Sequence, residues 1–138
     1  GEANTLALMP RGRALCLGPA GETLLAQTVL ALACGNAVVA IAPGAAADLK
    51  VLLGLGLPLA VLDGQIAPET LADAPVDCVA ASLDAAAPGE LRRALSRRNG
   101  PLVRLVTGLE PTAFTVERSV SVDTTAAGGN ASLLAASV

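Results

Sequence analysis

Three cysteines are the side chains of this sequence best suited to covalent chemistry. A cysteine becomes a nucleophile when a neighbouring base or a helix amino terminus favours its thiolate form. Cys16, Cys34 and Cys78 each lie in an apolar run, and the chain contains no histidine. Asp77, next to Cys78, is expected to raise the pKa of that thiol. The sequence therefore predicts three buried, free thiols in a reducing compartment, with neither a cysteine nucleophile nor a metal site.

Charged residues form two further patterns. Four arginines lie close together: Arg92, Arg93, Arg97 and Arg98. Two of them are one helical turn apart, so the group could hold an acidic partner or form a solvated helix face, and we favour the solvated face. Four carboxylates, none at a spacing typical of acid–base catalysis, are expected on the solvated surface: Asp73, Asp77, Glu110 and Glu117.

A glycine-containing loop is a candidate for binding a cofactor. Gly18 and Gly21 lie between an apolar run and a helical run, where phosphate-binding loops occur. The dinucleotide fingerprint needs a third glycine in the loop, which is missing here. It also needs an acidic residue at the end of the next strand, and residues 40–43 (AIAP) contain no acidic residue. We interpret the loop as a tight turn and keep a dinucleotide-binding module as the alternative.

Composition and charge limit the function further. The chain has 138 residues, of which 53% are hydrophobic and 15% charged, so it is expected to fold rather than remain disordered. A net charge of −3 and 1% aromatic residues argue against a nucleic-acid partner. A turn at residues 34–36 interrupts the longest apolar run, residues 24–42, so no membrane span is expected. Because the chain begins with Gly1, we expect it to be a piece of a longer protein.

Short apolar runs alternate with helical runs along most of the chain. Strands are predicted at residues 5–9, 13–17, 37–41, 59–62, 78–81, 102–106 and 115–122. Helices are predicted at residues 21–33, 45–55, 68–72 and 88–98. This alternation indicates an α/β fold with a Rossmann-like parallel sheet of about five strands, flanked by helices, plus edge strands from the two terminal segments.

The last segment differs in composition from the rest. We divide the chain into an edge strand and turn (1–12), a Rossmann-like domain (13–110) and a strand with a docking tail (111–138). Valines alternate with polar residues after Thr115, so they share one face of a strand, and two adjacent glycines permit close backbone approach. The residues expected to contact a partner are Val116, Arg118, Val120, Val122, Thr124, Thr125, Gly128, Gly129, Asn130 and Ser132.

Residues 31–39, ALACGNAVV, resemble a motif in the cofactor domain of the aldehyde dehydrogenase superfamily. The order of elements over residues 5–43 is also similar to that family. Active members carry an asparagine in the loop where residues 18–20 stand here, and a lysine where residues 40–42 stand. No counterpart of the family's catalytic domain exists in this chain. The resemblance implies the fold and argues against the activity.

Residues 116–134, VERSVSVDTTAAGGNASLL, resemble the C-terminal motif of the proline utilization A family. Long members of that family end in a non-catalytic domain of the aldehyde dehydrogenase fold. The resemblance implies that this domain packs on the aldehyde dehydrogenase module and helps seal the cavity that channels pyrroline-5-carboxylate, or glutamate semialdehyde, between active sites. It also implies a bacterial, cytoplasmic parent enzyme that oxidises proline to glutamate with FAD and NAD, neither of them held by this segment.

Two other functions compete with this interpretation. The first is the dinucleotide-binding module, which would use the loop between Gly18 and Gly21. The second is a stand-alone structural oligomer, in which the exposed edge strands at residues 5–9 and 115–122 pair between copies. Self-association of the isolated chain is also expected under the docking hypothesis, because a docking edge without its partner is exposed.

Overall fold

Short apolar segments form the centre of the protein, because strands that are covered on both faces must be apolar on both. The computed structural model describes residues 1–82 and 88–123. Seven strands occur there: β1 (Glu2–Pro10), β2 (Arg13–Cys16), β3 (Ala37–Ala42), β4 (Leu59–Asp63), β5 (Cys78–Ala80), β6 (Arg104–Val106) and β7 (Thr115–Asp123). Four α-helices occur there: α1 (Glu22–Ala33), α2 (Ala45–Asp48), α3 (Lys50–Leu53) and α4 (Pro88–Ser96). Pro68–Ala72 and Pro111–Ala113 form short 3-10 helices.

Five strands form a parallel sheet in the order β4-β3-β2-β5-β6. The central strand, β2, pairs with β3 on one side (Ala14 with Val38) and with β5 on the other (Ala14 with Cys78). Counted in chain order within this sheet, the strands follow the order 3-2-1-4-5, which is typical of a Rossmann fold. The α/β Rossmann-like prediction is confirmed.

Side chains alternate between the two faces of this sheet and form two core clusters. One cluster joins small residues of the strands, such as Ala14, Cys16 and Ala40, to α1 and to Phe114. The other joins Leu15 and Val79 to α4 and the first 3-10 helix. Alanine is frequent among the strand residues of the first cluster, and Phe114 is the single aromatic residue of the chain.

Some predicted elements differ from the observed ones. The helix predicted at residues 45–55 is two short helices, α2 and α3, separated at Leu49. Leu49 has φ −103° and ψ 11°, and its side chain is fully buried. Its packing in the core outweighs the helix propensity of the surrounding run. The helix predicted to reach residue 98 ends at Ser96, and the last sheet strand starts at Arg104, two residues later than predicted.

The chain divides into two compact units. Residues 10–116 form one unit, and residues 1–9 together with residues 117–123 belong to the other. In the second unit, β1 and β7 pair as a two-stranded sheet of their own. Within the described ranges, no helix is both long enough and apolar enough to cross a bilayer.

Candidate functional site

The two-stranded sheet, hereafter the ribbon (residues 2–9 and 117–123), contains part of the predicted docking surface. The Ser121 hydroxyl donates a hydrogen bond to Oδ1 of Asn4 at 2.7 Å, so these side chains share a face. Successive side chains of a strand point to opposite faces. Val120 and Val122 therefore lie on the other face, together with Arg118. Both valines are about half exposed, at 49% and 52%.

The face that carries Asn4 and Ser121 is also partly apolar. Alternation along β1 places Leu6 and Leu8 on this face, and their exposed fractions are 67% and 63%. Every described residue of the ribbon is exposed except Ala7, which is half-buried. A two-stranded sheet is marginally stable alone, and its outer edges offer hydrogen bonds to a further strand. Among the described residues, each of its strands pairs only with the other. The ribbon is thus an exposed and partly apolar surface.

The predicted docking residues fall into two groups. Val116, Arg118, Val120 and Val122 all lie on β7, on one face by alternation, and all four are exposed. The remaining six lie outside the described residues: Thr124, Thr125, Gly128, Gly129, Asn130 and Ser132. The arrangement of β7 agrees with the alternation expected from its sequence.

A buried asparagine fixes the start of β7, and its role was not foreseen from the sequence. Asn36 is fully buried. Its Oδ1 accepts a hydrogen bond from the Gly12 N–H at 2.9 Å, and its Nδ2 donates to the carbonyl oxygens of Ala31 and Phe114, both at 3.0 Å. One amide thus joins the turn before β2, the end of α1 and the residue before β7. The Gly-Asn pair after a helix, which also lies in the motif of residues 31–39, is the signal that could have drawn attention to it.

The loop between β2 and α1 lines a cavity of about 630 Å³ at the carboxyl edge of the sheet. Its backbone is already hydrogen-bonded to the chain itself. The Gly18 N–H donates to Oε1 of Gln27 at 2.9 Å, and the Gly21 N–H donates to Oδ2 of Asp48 at 2.6 Å. A carboxylate thus stands at the helix start, where a phosphate would bind in a dinucleotide site. This arrangement agrees with a tight turn rather than a phosphate loop.

The cysteines differ from one another in their environment. Burial, the largest cause in each case, raises the pKa of Cys16 to about 12 and of Cys78 to about 11. Asp77 adds to the increase at Cys78, as predicted, although Arg11 opposes it. Cys34 was predicted to be buried, and this is wrong: it caps α1, is only half-buried, and its Sγ lies 3.6 Å from the Pro111 carbonyl oxygen. All three are free thiols.

One carboxylate is paired rather than merely solvated. Asp77 forms a salt bridge with Arg13, whose Nε lies 3.1 Å from Oδ2. The hydrogen bond from the Arg13 side chain is the main reason that the pKa of Asp77 lies below its usual value. In the predicted arginine cluster, Arg98 lies beyond α4 and donates to the Leu71 carbonyl oxygen. The described residues contain no group of three or more acidic, cysteine or histidine side chains that could hold a metal ion.

Comparisons with known proteins connect this chain to one enzyme. No protein-family model matches it. It is 34% identical over 142 residues to the bifunctional protein PutA of Escherichia coli, and 33% identical over 140 residues to PutA of Salmonella typhimurium. Each alignment covers 97% of this chain and 10% of the relative, so the chain spans about a tenth of the length of these curated relatives. The chain is therefore similar, along almost its whole length, to one segment of PutA.

Proposed function

We propose that this chain is a non-catalytic interaction domain of a PutA-type proline catabolic enzyme. In this proposal it packs on the aldehyde dehydrogenase module of the enzyme and helps seal the cavity that carries the intermediate of proline-to-glutamate oxidation. FAD and NAD belong to the other modules, the partner contact is intramolecular in the full-length chain, and the parent enzyme is cytoplasmic. The similarity to PutA along 97% of the chain carries this proposal.

The chemistry of the described residues supports a non-catalytic role. Burial disfavours the thiolate of Cys16 and of Cys78. The loop that would bind a dinucleotide phosphate is occupied by Gln27 and Asp48. A domain of this kind contributes through its surface, and the described ribbon is an exposed, partly apolar surface whose two strands pair with each other.

The ribbon also supports a specific docking mode. A partner strand added to an exposed edge gains main-chain hydrogen bonds, and side chains on alternate positions fill pockets of the partner. Val120 and Val122 present such a row on one face of β7. We therefore assign the contact to this face, together with the segment that follows it.

Complementation in trans tests the proposal. A PutA protein truncated before the segment similar to this chain is mixed with the intact chain, and NADH formation from proline is followed. We expect the intact chain to restore coupling. A chain that ends at residue 123 should fail, because it lacks the predicted tail. If the intact chain neither binds nor changes the rate of coupled turnover, the docking role is wrong.

Matched variants locate the contact. Val120→Asp places a charge on the proposed contact face, whereas Ser119→Asp places the same charge on the opposite face of the same strand. Desolvating an unpaired charge is costly, so Val120→Asp should weaken binding by about tenfold or more. Ser119→Asp should bind as the unaltered chain does. Equal losses in the two variants would contradict the assignment of the face.

A dinucleotide-binding module is the alternative that a specific observation favours. The cavity of about 630 Å³ lies at the carboxyl edge of the parallel sheet, where nucleotides bind in many Rossmann folds. Asp48 opposes it, because its carboxylate occupies the Gly21 N–H and would repel a phosphate. Saturable NAD binding at micromolar concentration would favour this alternative, and Asp48→Asn should then tighten it.

Self-association is the second alternative. In the described part of the chain, the ribbon strands pair only with each other, and β4 is an edge strand of the parallel sheet. Strand pairing between copies would give a mass that rises with concentration in sedimentation equilibrium. If added truncated PutA dissociates these oligomers, they use the docking surface. If it does not, the structural oligomer becomes the better hypothesis.

A further inference from the structure

Three guanidinium groups line one small cavity at the amino-terminal edge of the parallel sheet, away from the carboxyl-edge cavity. Arg11 precedes β2, Arg13 begins it, and Arg98 follows α4. The cavity has a volume of about 300 Å³, which lies at the lower end of the range for small-molecule sites. Asp77 is the carboxylate among its described lining residues. The lining thus carries an excess of positive charge in a chain whose net charge is −3.

Backbone carbonyls hold two of these guanidinium groups in place. The Nε of Arg11 donates to the Ala113 carbonyl oxygen at 2.7 Å, and Nη1 of Arg98 donates to the carbonyl oxygen of Leu71. A carbonyl oxygen orients a guanidinium without neutralising its charge. Because each guanidinium has five N–H groups in a rigid planar fork, these bonds leave further donors for a ligand. The guanidinium groups of Arg11 and Arg98 are therefore held in place, while their positive charges are only partly neutralised.

The third arginine shows which ligand chemistry the cavity accepts. Arg13 binds the carboxylate of Asp77 through Nε at 3.1 Å and through its backbone N–H at 2.7 Å. Arg98 also contributes to the low pKa of Asp77, so the positive field extends across the cavity. The side chain of Asp77 is 37% exposed, so this internal pair is accessible to solvent rather than sealed in the core.

Apolar residues line part of the same cavity. Pro101, Leu102 and Val103 line it, and Leu102 is 97% exposed. Charged donors and apolar side chains in one lining suit a ligand that carries an anionic group on a short apolar body. Planar guanidinium forks match the geometry of a carboxylate, which can accept two parallel hydrogen bonds.

We propose that this cavity binds a carboxylate, with Arg11 and Arg98 as its principal donors and Asp77 as a competing internal carboxylate. The carboxylate has two possible sources, a small free dicarboxylate or an acidic side chain of another polypeptide. Its lining belongs to the unit of residues 10–116 and includes Val116, which is also a predicted docking residue. The carboxylate site does not rest on the proposed function.

Calorimetric titration of the whole chain tests the site. One arm uses sodium succinate, with neutral succinamide as its control. The other arm uses a capped peptide with a single glutamate between leucines, with the glutamine peptide as its control. We expect saturable binding of at least one anionic ligand and of neither neutral one. Binding of succinate identifies a small-molecule site, whereas binding of the peptide alone identifies a protein contact.

Variants separate this site from general charge effects. Arg11→Gln and Arg98→Gln each remove a charged donor, so affinity should fall by about tenfold or more. Arg92→Gln removes the same charge from an exposed position of α4 outside the cavity and should leave affinity unchanged. Asp77→Asn removes the competing carboxylate while keeping an acceptor for the Arg13 backbone N–H, so affinity should rise.

Clear results would overturn the proposal. It fails if neither anionic ligand saturates at concentrations up to about 10 mM, or if Arg92→Gln weakens binding as much as Arg98→Gln does. Circular dichroism checks that each variant is folded. If the arginine variants do not fold, Asp77→Asn decides: higher affinity supports the site, and unchanged or lower affinity contradicts it.

Discussion

Asn36 is buried although its amide has both donors and acceptors, and each end of that amide is satisfied. Its oxygen binds the Gly12 N–H, and its nitrogen binds the carbonyl oxygens of Ala31 and Phe114. Phe114 is 78 residues away in the chain, so no local pattern could identify it as a partner. The sequence predicts a turn at residues 34–36, whereas the role of Asn36 follows only from tertiary structure.

Removing this amide should destabilise the fold strongly. Asn36→Ala leaves the Gly12 N–H without its acceptor, so the free energy of unfolding should fall by about 2 kcal/mol. The Ala31 and Phe114 carbonyl oxygens each lose one of two hydrogen bonds and keep a backbone N–H donor. Urea denaturation followed by circular dichroism measures this change. Asn99→Ala, at an exposed asparagine, is the matched control and should change stability little. Similar midpoints for the two variants would contradict the role of Asn36.

The salt bridge between Asp77 and Arg13 makes a small contribution that depends on pH. The hydrogen bond from Arg13 lowers the pKa of folded Asp77 below its usual value of 3.8. A lowered folded pKa means that the contribution is present above pH 3.8 and is lost as pH falls through the folded pKa. Because both side chains are partly exposed, Asp77→Asn should cost less than about 1 kcal/mol at pH 7. The free energy of unfolding should change less between pH 7 and pH 3 in Asp77→Asn than in the unaltered chain. An equal change in the two proteins would contradict this role of Asp77.

Elements were predictable where one local signal dominated. The apolar runs of β2 and β3 lie between glycine- or proline-containing turns, and their observed bounds, Arg13–Cys16 and Ala37–Ala42, differ from the predicted ones by one residue. The division of the predicted helix at Leu49 was not predictable, because it depends on burial of that side chain against other elements. Likewise, alternation predicts a strand after Thr115 but does not reveal that β7 pairs with β1.

The turn between β2 and α1 depends on a side chain within the helix. Gln27 is buried, accepts a hydrogen bond from the Gly18 N–H at 2.9 Å and donates one to the Gly18 carbonyl oxygen at 3.3 Å. Gln27→Leu keeps the side chain's size but removes both bonds, so we expect a loss of about 2 kcal/mol in unfolding free energy. Gln65→Leu, at an exposed glutamine, is the control in the same denaturation experiment. No difference between the two would show that the turn holds its shape without Gln27.

At the scale of the whole molecule, burial is distributed very unevenly. Every buried residue among those described lies between Ala14 and Phe114, on the two faces of the parallel sheet or in the elements that cover it. The described ribbon residues contain none. Hydrophobic stabilisation is roughly proportional to the apolar area removed from water, so the unit of residues 10–116 should hold nearly all of it.

A fragment of residues 10–116 should therefore fold without the ribbon. We expect it to unfold cooperatively, with a melting temperature within about 5 °C of that of the whole chain, because none of the described residues it lacks is buried. Thermal unfolding followed by circular dichroism measures both. A fragment that shows no cooperative transition would mean that the ribbon is part of the folding unit. In that case, a ribbon variant that loses coupled turnover would have lost it through unfolding. If the core folds independently, the same loss of turnover shows that docking is impaired.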